Sequence, residues 1–384
     1  MIPRFAPHSS SLLGKNRMVE VFFLRRALLL LCCSCMIITL LSFTQITYAN
    51  SKDEVRISVS VSPPSLFIST LTFHDKHFAT QLLRAKSVPA TPQPHWQRAI
   101  LTVNKRTFLY DHDGHLFDKE KPKQYLVDTK VKKRLDELVM SVEKVHYGQA
   151  VPWEQVKKSF ARMDYGTVID METGERFEVQ RRAGSRHADV QPLTREDTMI
   201  MKNIYQGKWS WKRRAILVEV DGLYYAASMH GMPHGAGAIR GNDFPGHFCI
   251  HFFGSSTHRR TEPDPSHNLM ILKASGALPS TISGALPEEL IEYFLTALHE
   301  HDEHTMRMTT DGFQLPSKLQ EIVSIKKSEV VIPSDERGPF LVEVPVQIDT
   351  FTKNSGDQKE RWKFILRRSS PGERWRITAI DMKE

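Results

Sequence analysis

The chain has 384 residues, of which 40% are hydrophobic and 25% charged, and its formal net charge is +8. At this length the chain is expected to hold two or three domains, and its mixed patterns indicate a multidomain α+β protein. Three of its four cysteines lie in one apolar N-terminal stretch. Only Cys249 remains elsewhere, which excludes an internal disulfide in the rest of the chain.

The first 49 residues have the pattern of an export signal. Arg25 and Arg26 precede an almost wholly apolar run, 27–43, and Ala49 follows after a short polar spacer. This order predicts a secretory signal peptide over 1–49, cut after Ala49, although the run is also nearly long enough for an uncleaved transmembrane anchor. Both alternatives place the remaining chain outside the cytoplasm, secreted or anchored in the cell envelope.

Residues 50–159 carry little that indicates chemistry. The first segment, 50–95, is rich in proline with little periodicity, and a stalk or loosely folded lead-in is expected there. The second, 96–159, is expected to form a small α+β piece. It has the patterns of a strand at 98–110, a turn at 111–114 and an amphipathic helix at 128–146.

Residues 160–278 are expected to carry the chemistry on a β-rich framework. Strands are predicted at 166–171, 176–180, 215–220 and 223–230, and a helix capped by Thr194 is predicted at 195–205. A loop with five glycines then leads to a short apolar run, 248–253, that contains Cys249. A glycine-rich loop of this kind lets a substrate backbone approach a nucleophile, which a structural cysteine does not require.

Cys249 stands between two histidines in Gly246-His247-Phe248-Cys249-Ile250-His251, and His230-Gly231 lies upstream. A thiol is nucleophilic as the thiolate, and neighbouring imidazoles favour that form. The alternative is that Cys249 is a small buried apolar side chain, as free cysteine often is.

These positions resemble the signature of the L,D-transpeptidases of the YkuD type. That signature is a His-Gly step, a gap of fourteen to seventeen residues, then Ser/Thr-His-Gly-Cys, a hydrophobic residue and Asn or Arg. The matching positions are His230, Gly231, His247, Cys249 and Ile250. Three positions depart from it, namely Gly246, Phe248 and His251, and a ring at Phe248 is expected to reshape the acyl pocket.

The resemblance implies a YkuD-like catalytic domain over 160–278 that remodels peptidoglycan without a cofactor. Cys249 would attack a carbonyl of a stem peptide and form a thioester, which an amine or water resolves. His230 would be the base, oriented by the main-chain carbonyl of Gly231. His247 and nearby backbone N–H groups would stabilise the oxyanion, and His251 completes the expected site. His234 is the weaker base candidate, because only eleven residues separate it from Gly246.

Basic residues cluster at 181–182, at 208–214 around two tryptophans, and at 259–260. Interleaved aromatic and basic residues can bind nucleic acid, but export argues against that partner. Carboxylates of peptidoglycan stem peptides suit them better, and Arg182, Arg213 and Arg214 are expected to hold one by bidentate pairing. The alternative is a solvated strand edge with both tryptophans in the core.

A second functional hypothesis is a zinc-dependent cell-wall peptidase. His187 and Asp189 offer an imidazole and a carboxylate, and His247 or His251 could complete a three-ligand site. The sequence has no HExxH, however, and zinc leaves the position of Cys249 unexplained. Further alternatives are a hydrogen-bonded loop at His187 and Asp189, a supporting role for them near Cys249, and a non-catalytic wall-binding protein.

Residues 285–384 are predicted to form a separate accessory α+β domain. Pro287 begins a helix that is expected to run to about Met306, and strands are predicted at 321–332, 340–351, 360–368 and 375–382. One long helix against a curved antiparallel sheet resembles the NTF2-like and cystatin-like arrangement, which hosts many functions and implies none. The acidic and histidine-rich run at 299–304 could bind metal, but a solvated helix face is expected.

Overall fold

A computed structural model describes residues 53–90, 96–257, 262–327 and 338–383. Over these residues the protein is mixed α+β, with antiparallel strands in two open sheets and one closed barrel, and with eight α-helices. The predicted signal peptide or anchor and the basic pair 259–260 lie outside the described residues. None of the helices in the described ranges is long and apolar enough to span a membrane.

The N-terminal part is a seven-stranded antiparallel sheet in the order β2-β1-β4-β5-β6-β7-β3. Its strands are β1 (Glu54–Ser60), β2 (Ile68–His74), β3 (Lys86–Pro89), β4 (Gln97–Val103), β5 (Arg106–Asp111), β6 (Leu116–Asp118) and β7 (Lys123–Leu126). Its helices are α1 (Lys76–Arg84) and α2 (Thr129–His146). The expectation of a loosely folded lead-in is therefore wrong for residues 54–89, where Val55, Ile57 and Val59 alternate into a buried core.

The helix predicted at 128–146 is confirmed as α2. The Asp128 carboxylate accepts hydrogen bonds from the backbone N–H groups of Lys130 and Val131, which fixes the start of the helix. The single strand predicted at 98–110 is instead the hairpin of β4 and β5. Asn104 turns the chain there with a φ of 56°.

The central part is a closed antiparallel barrel in the order β10-β13-β12-β11-β8-β9. Its strands are β8 (Tyr165–Asp170), β9 (Arg176–Ala183), β10 (Ala188–Pro192), β11 (Arg213–Val220), β12 (Leu223–His230) and β13 (Phe248–Phe252). All but β10 were predicted, with bounds that differ by at most three residues. Apolar side chains fill the interior, among them Val168, Val190, Val218, Phe248 and Ile250.

Four helices accompany the barrel: α3 (Trp153–Ser159), α4 (Arg195–Ile204), α5 (Pro265–Ala274) and α6 (Leu278–Gly284). The predicted cap of α4 is confirmed, because Thr194 and Asp197 exchange side-chain and backbone hydrogen bonds. α5 was not predicted. It packs on the outer wall of β11 and β12 and brings His267 to the same wall as Cys249.

The C-terminal part packs α7 (Pro287–Glu300) and α8 (Glu303–Met308) with a four-stranded antiparallel sheet. Its strands are β14 (Ile322–Lys327), β15 (Leu341–Thr352), β16 (Gly356–Arg367) and β17 (Arg376–Lys383). A single hydrophobic cluster joins this sheet and α7 to the outer wall of the barrel, including Ala215 and Leu217. The expected separate domain thus shares its core with the barrel.

The helix expected to reach Met306 ends at Glu300, since His301 takes a left-handed conformation with a φ of 58°. The run at 299–304 is not a solvated helix face. Glu300 is buried and its carboxylate accepts a hydrogen bond from the backbone N–H of Arg213.

Candidate functional site

Cys249 lies on the outer face of the barrel wall. Its neighbours Phe248 and Ile250 point into the barrel interior, and strand alternation turns the thiol the other way. Only 4% of Cys249 is exposed. The expectation that the ring of Phe248 reshapes an acyl pocket is wrong, because that ring packs against Phe177 and Phe244 on the opposite face.

The imidazole of His234 is the partner of the thiol. Its Nε2 lies 3.4 Å from the Cys249 Sγ, and its Nδ1 lies 3.1 Å from the carbonyl oxygen of Met232. A carbonyl oxygen only accepts, so Nδ1 carries the ring proton and Nε2 presents a lone pair to the S–H group. This is the geometry of a nucleophile and a base, with the base oriented by a third group.

A close crossing of the chain holds His234 above the sulfur. His234 and His247 exchange two backbone hydrogen bonds of 2.9 Å each, one from each N–H to the other carbonyl. Gly246 makes the crossing possible, because its φ is 117° and a Cβ there would lie 2.4 Å from the carbonyl oxygen of His234. The departure from Ser/Thr at position 246 is thus a backbone requirement of this loop.

Gln191 on β10 connects the same loop to the barrel, and no sequence pattern pointed to this residue. Its side-chain amide donates to the carbonyl of Gly246 over 2.7 Å. Its Oε1 accepts from the backbone N–H groups of Ala238 and Ile239. The glycine-rich loop is therefore anchored at both its middle and its end.

Asp189 faces Cys249 directly across the β10–β13 ladder. Its Oδ1 lies 3.8 Å from the Cys249 Sγ and 3.1 Å from the Nε2 of His187. The Nε2 of His247 is 3.9 Å from the same oxygen. Asp189 lies on β10, whereas His187 lies in the bend just before that strand, where its ring contacts the carbonyl oxygen of Ser256. The hydrogen-bonded loop considered for this pair is therefore present at His187 but not at Asp189.

His230, the base that the resemblance implies, is not the hydrogen-bonded partner of the thiol. It is 5% exposed, and its Nδ1 accepts from the backbone N–H of Met232 over 3.4 Å. Burial, aided by the neighbouring His234, lowers the pKa of His230 to about 3. Gly231 serves packing, because a Cβ there would lie 2.3 Å from the ring of Tyr205.

Two further imidazoles extend the cluster. His251 is stacked between His187 and His267, at ring-centroid distances of 4.5 and 3.8 Å. His267 was missed by sequence reasoning, and its Nδ1 lies 2.9 Å from the Oγ of Ser228, the residue opposite His251 on β12. Cys249 and Asp189 thus sit within a group of six histidines: His187, His230, His234, His247, His251 and His267.

The electrostatics keep the thiol neutral at rest. Burial raises the pKa of the Cys249 thiol well above its usual range, and the Asp189 carboxylate raises it further. Burial also lowers the pKa of His234. The pair is therefore a thiol and a neutral imidazole, and the proton moves only when the sulfur is attacking.

The three arginines expected to bind a substrate carboxylate all have side-chain partners within the protein. Arg214 makes two hydrogen bonds, of 2.5 and 2.6 Å, to the buried Asp170. Arg213 pairs with Asp264 and Glu300. The half-buried Arg182 donates a hydrogen bond to the Oε1 of Gln180, and it precedes Ala183, which pairs with Asp189 in the ladder.

Trp211 forms an exposed wall over the two upstream histidines. It is 52% exposed, and its ring centroid lies 4.7 Å from that of His230 and 5.4 Å from that of His234. The alternative that both tryptophans of 208–214 lie in the core is wrong for Trp211. The sequence analysis singled out this segment for its interleaved aromatic and basic residues, and it is the Trp211 ring that borders the site.

Donor atoms for a metal ion also converge here. One set is His187, Asp189 and Cys249, and the other is His230, His234 and Cys249, with ligand atoms within 4.8 Å of one another in each set. The two sets share only the sulfur. His247 approaches the first through Asp189, whereas His251 contributes a stacked ring.

Comparisons with known proteins found no matching family model, no matching curated protein and no matching solved structure.

Proposed function

We propose that the protein is an exported cysteine-dependent acyltransferase that acts on peptidoglycan stem peptides, as an L,D-transpeptidase or L,D-carboxypeptidase. The observation that carries the proposal is the Cys249–His234 pair, with 3.4 Å between Sγ and Nε2 and with Nδ1 held by a backbone carbonyl. A YkuD-like identity of the barrel and an NTF2-like identity of the C-terminal part belong to the same proposal.

In the proposed reaction, His234 takes the thiol proton while Sγ attacks the carbonyl carbon before a terminal D-amino acid. The protonated imidazole then gives that proton to the departing amine as the C–N bond breaks, which leaves a thioester. An amine from a second stem, or water, attacks the thioester carbonyl. It loses its proton to His234, and the Cys249 thiol re-forms.

Substrate contacts follow from what borders the sulfur. Trp211 offers an exposed apolar wall beside His234, and Arg182 offers a guanidinium that can pair with a stem carboxylate. His247 donates through Nδ1 to the carbonyl of Ala236 over 3.0 Å. Its Nε2 can therefore donate to an oxyanion only when the ring carries a second proton.

The remaining parts receive supporting roles in this proposal. Residues 1–49 export the chain, and hold it at the membrane if they are not cleaved. The C-terminal helix and sheet share a core with the barrel wall that α5 covers, so they buttress the wall that carries the site. Nucleic acid is not a proposed partner.

The test uses a carbapenem, whose lactam carbonyl is open to a catalytic thiol. The Cys249 sulfur should form a C–S bond as the lactam C–N bond breaks, and intact mass should rise by one carbapenem. Proteolysis should place the adduct on the peptide that contains Cys249. The adduct should be absent from Cys249→Ala, and an unmodified wild-type protein that is shown to be folded and metal-free would sink the proposal.

A zinc-dependent cell-wall peptidase is the second candidate, favoured by the close approach of His187 Nε2 to Asp189 at 3.1 Å. It makes the opposite prediction, namely that hydrolysis of stem peptides is abolished by a chelator and survives in Cys249→Ala. Binding of wall fragments with neither activity would instead favour the non-catalytic alternative.

A further inference from the structure

His187 has both ring nitrogens beside acceptors. Its Nδ1 lies 2.9 Å from the carbonyl oxygen of Ser256, and its Nε2 lies 3.1 Å from the Oδ1 of Asp189. The carbonyl holds the proton of a neutral ring on Nδ1, so the lone pair of Nε2 faces a carboxylate oxygen. Two lone pairs repel at this distance, so a proton or a metal ion must lie between the two atoms.

The orientation of His187 is that of a metal-bound histidine. A ligating imidazole usually donates its other N–H to a carbonyl or carboxylate, which fixes the tautomer and directs the lone pair at the metal. Ser256 supplies that carbonyl here. The site is buried and rigid, since Asp189 and Cys249 are paired residues of adjacent barrel strands.

The spacing of the three donor atoms also fits. Zinc bonds of about 2.3 Å to sulfur and about 2.0–2.1 Å to nitrogen or oxygen, at tetrahedral angles, separate ligand atoms by roughly 3.3–3.6 Å. The observed distances are 3.1 Å from His187 Nε2 to Asp189 Oδ1 and 3.8 Å from that oxygen to the Cys249 Sγ. All three ligand atoms lie within 4.8 Å of one another.

We propose that His187, Asp189 and Cys249 bind one thiophilic divalent cation of the Zn²⁺ class, and that the bound cation masks the nucleophile. Imidazole nitrogen, carboxylate oxygen and thiolate sulfur are the donors that zinc takes in proteins. When the metal binds, the thiol proton leaves to solvent and the sulfur lone pair forms the metal bond. The masking step depends on the function proposed above, whereas metal binding does not.

Cys249 is consequently shared by two arms of the site. His234 lies on one side of the sulfur at 3.4 Å, and Asp189 lies on the other at 3.8 Å. In the metal-free protein the sulfur reacts with the help of His234. In the metal-bound protein it is held by the arm of His187 and Asp189, protected from oxidation in an oxidising compartment.

The experiment uses the full chain with Cys32, Cys33 and Cys35 replaced by alanine, so that Cys249 is its one thiol. Metal-free protein is titrated with ZnCl₂ against a chromophoric chelator, and stoichiometry is read by native mass spectrometry. One zinc ion per chain is expected. Iodoacetamide alkylation of Cys249, in which the C–S bond forms as iodide leaves, should slow at least tenfold with one equivalent of zinc and recover with EDTA.

Variants assign the ligands. His187→Gln and Cys249→Ser should each weaken zinc affinity at least tenfold, and zinc should no longer protect Cys249 in His187→Gln. His74→Gln, an exposed histidine of the N-terminal sheet, is the matched control and should bind zinc as wild type does. Absence of stoichiometric zinc, or equal affinity in His187→Gln, overturns the proposal. Loss of zinc protection in His234→Gln but not in His187→Gln also overturns it, because that result would place the metal on His230, His234 and Cys249.

The two proposals fail separately. Stoichiometric zinc with no carbapenem adduct in the metal-free protein keeps the metal site and removes the acyltransferase. An adduct that forms equally fast with and without zinc keeps the acyltransferase and removes the masking. Peptide hydrolysis that requires zinc removes the masking in favour of a catalytic metal.

Discussion

Two polar clusters lie on the barrel wall, and they satisfy their polar groups in opposite ways. Around Arg214 and Lys273 every charge faces its opposite: Arg214 meets Asp170, and the Lys273 Nζ lies 2.8 Å from both Glu172 and Asp302. Around Cys249 the imidazoles surround one thiol and one carboxylate, and burial lowers the pKa of three of them, namely His230, His234 and His267.

The titration behaviour of the clusters follows from this difference. Burial alone would raise the pKa of Asp302, but Lys273 lowers it to about 2, so the ion pair stays charged over most of the pH range. Burial lowers the pKa of His230 to about 3, and that of His267 moves well below its usual value. Paired opposite charges hold each group in one protonation state. Uncharged imidazoles beside a thiol can still gain a proton or bind a metal ion.

The largest contrast should come from His234→Gln. Loss of the base should slow carbapenem acylation of Cys249 by about 10²–10⁴-fold, because the thiol loses the imidazole that accepts its proton. It keeps only the longer contact of 3.8 Å to the Asp189 carboxylate. The free energy of unfolding should change little. The measurement is the rate of adduct formation by intact mass, beside urea unfolding of the same samples. His230→Gln is the matched control, and a larger loss there would return the base to His230.

A substitution in the ion-pair cluster should instead lower the stability and leave the acylation rate nearly unchanged. Arg214→Met leaves the Asp170 carboxylate buried without its guanidinium, and should lower the free energy of unfolding by about 3–5 kcal/mol. The acylation rate of the molecules that remain folded should stay near that of wild type. Denaturant unfolding and single-turnover acylation measure the two quantities. Asp170 also accepts hydrogen bonds from the backbone N–H groups of Glu172 and Thr173. An unchanged stability would show that these bonds alone satisfy the carboxylate.

The two clusters should lower the stability of the protein in different pH ranges. In the unfolded chain a histidine protonates below pH 6.5, whereas buried His230 stays neutral to about pH 3. The unfolded state therefore binds more protons in this window, and stability should fall as pH drops from 6.5 towards 3. Asp302, with its pKa of about 2 against the usual 3.8, should add a loss only below about pH 4.

The contribution of one imidazole to that slope is measurable. Each buried histidine should contribute at most about 1.4 kcal/mol per pH unit to the slope of the unfolding free energy against pH. His230→Gln should therefore reduce that slope between pH 6 and 4 by about this amount. Chemical denaturation at half-unit pH steps gives the profile. A slope identical to that of wild type would mean that the fold admits a charged ring at position 230.

The smallest effect is expected at the rim. Trp211→Ala should weaken the binding of the proposed substrate, a stem peptide, by roughly three- to tenfold, because an exposed apolar wall beside His234 is lost. Its chemistry step at saturating substrate should change less, and Trp211→Phe should restore part of the affinity. Steady-state kinetics separate KM from kcat, and a loss confined to kcat would give Trp211 a role in positioning His234.

From residue 96 onward, sequence patterns predicted many of the helices and strands, but they predicted the long-range contacts poorly. Two helices begin where their capping residues, Asp128 and Thr194, predicted. The turn at 221–222 correctly predicted a hairpin. β10 and α5 were missed, because a strand of five buried residues and a helix covered on most sides lack the two-faced pattern on which such predictions depend.

Within the site, the sequence identified Cys249 and most of its histidines but misassigned the partner of the thiol. The spacing of the resemblance favoured His230, whereas the chain crossing at Gly246 brings His234 to the sulfur. A crossing of this kind depends on backbone conformation, which the spacing of residues along the sequence does not determine. For the same reason Gln191 and His267 could not have been found before the fold was known.

β13 is hydrogen-bonded on both flanks, by β10 and β12, in a barrel without a free edge. The register of the strand that carries the sulfur is consequently fixed by both neighbours, and so is the position of Cys249 opposite Asp189. Adjustment is left to the segment between Gly231 and Gly246, whose length decides which ring overhangs the thiol. Insertions or deletions there, rather than substitutions in the barrel, are the route by which this scaffold would acquire a different chemistry.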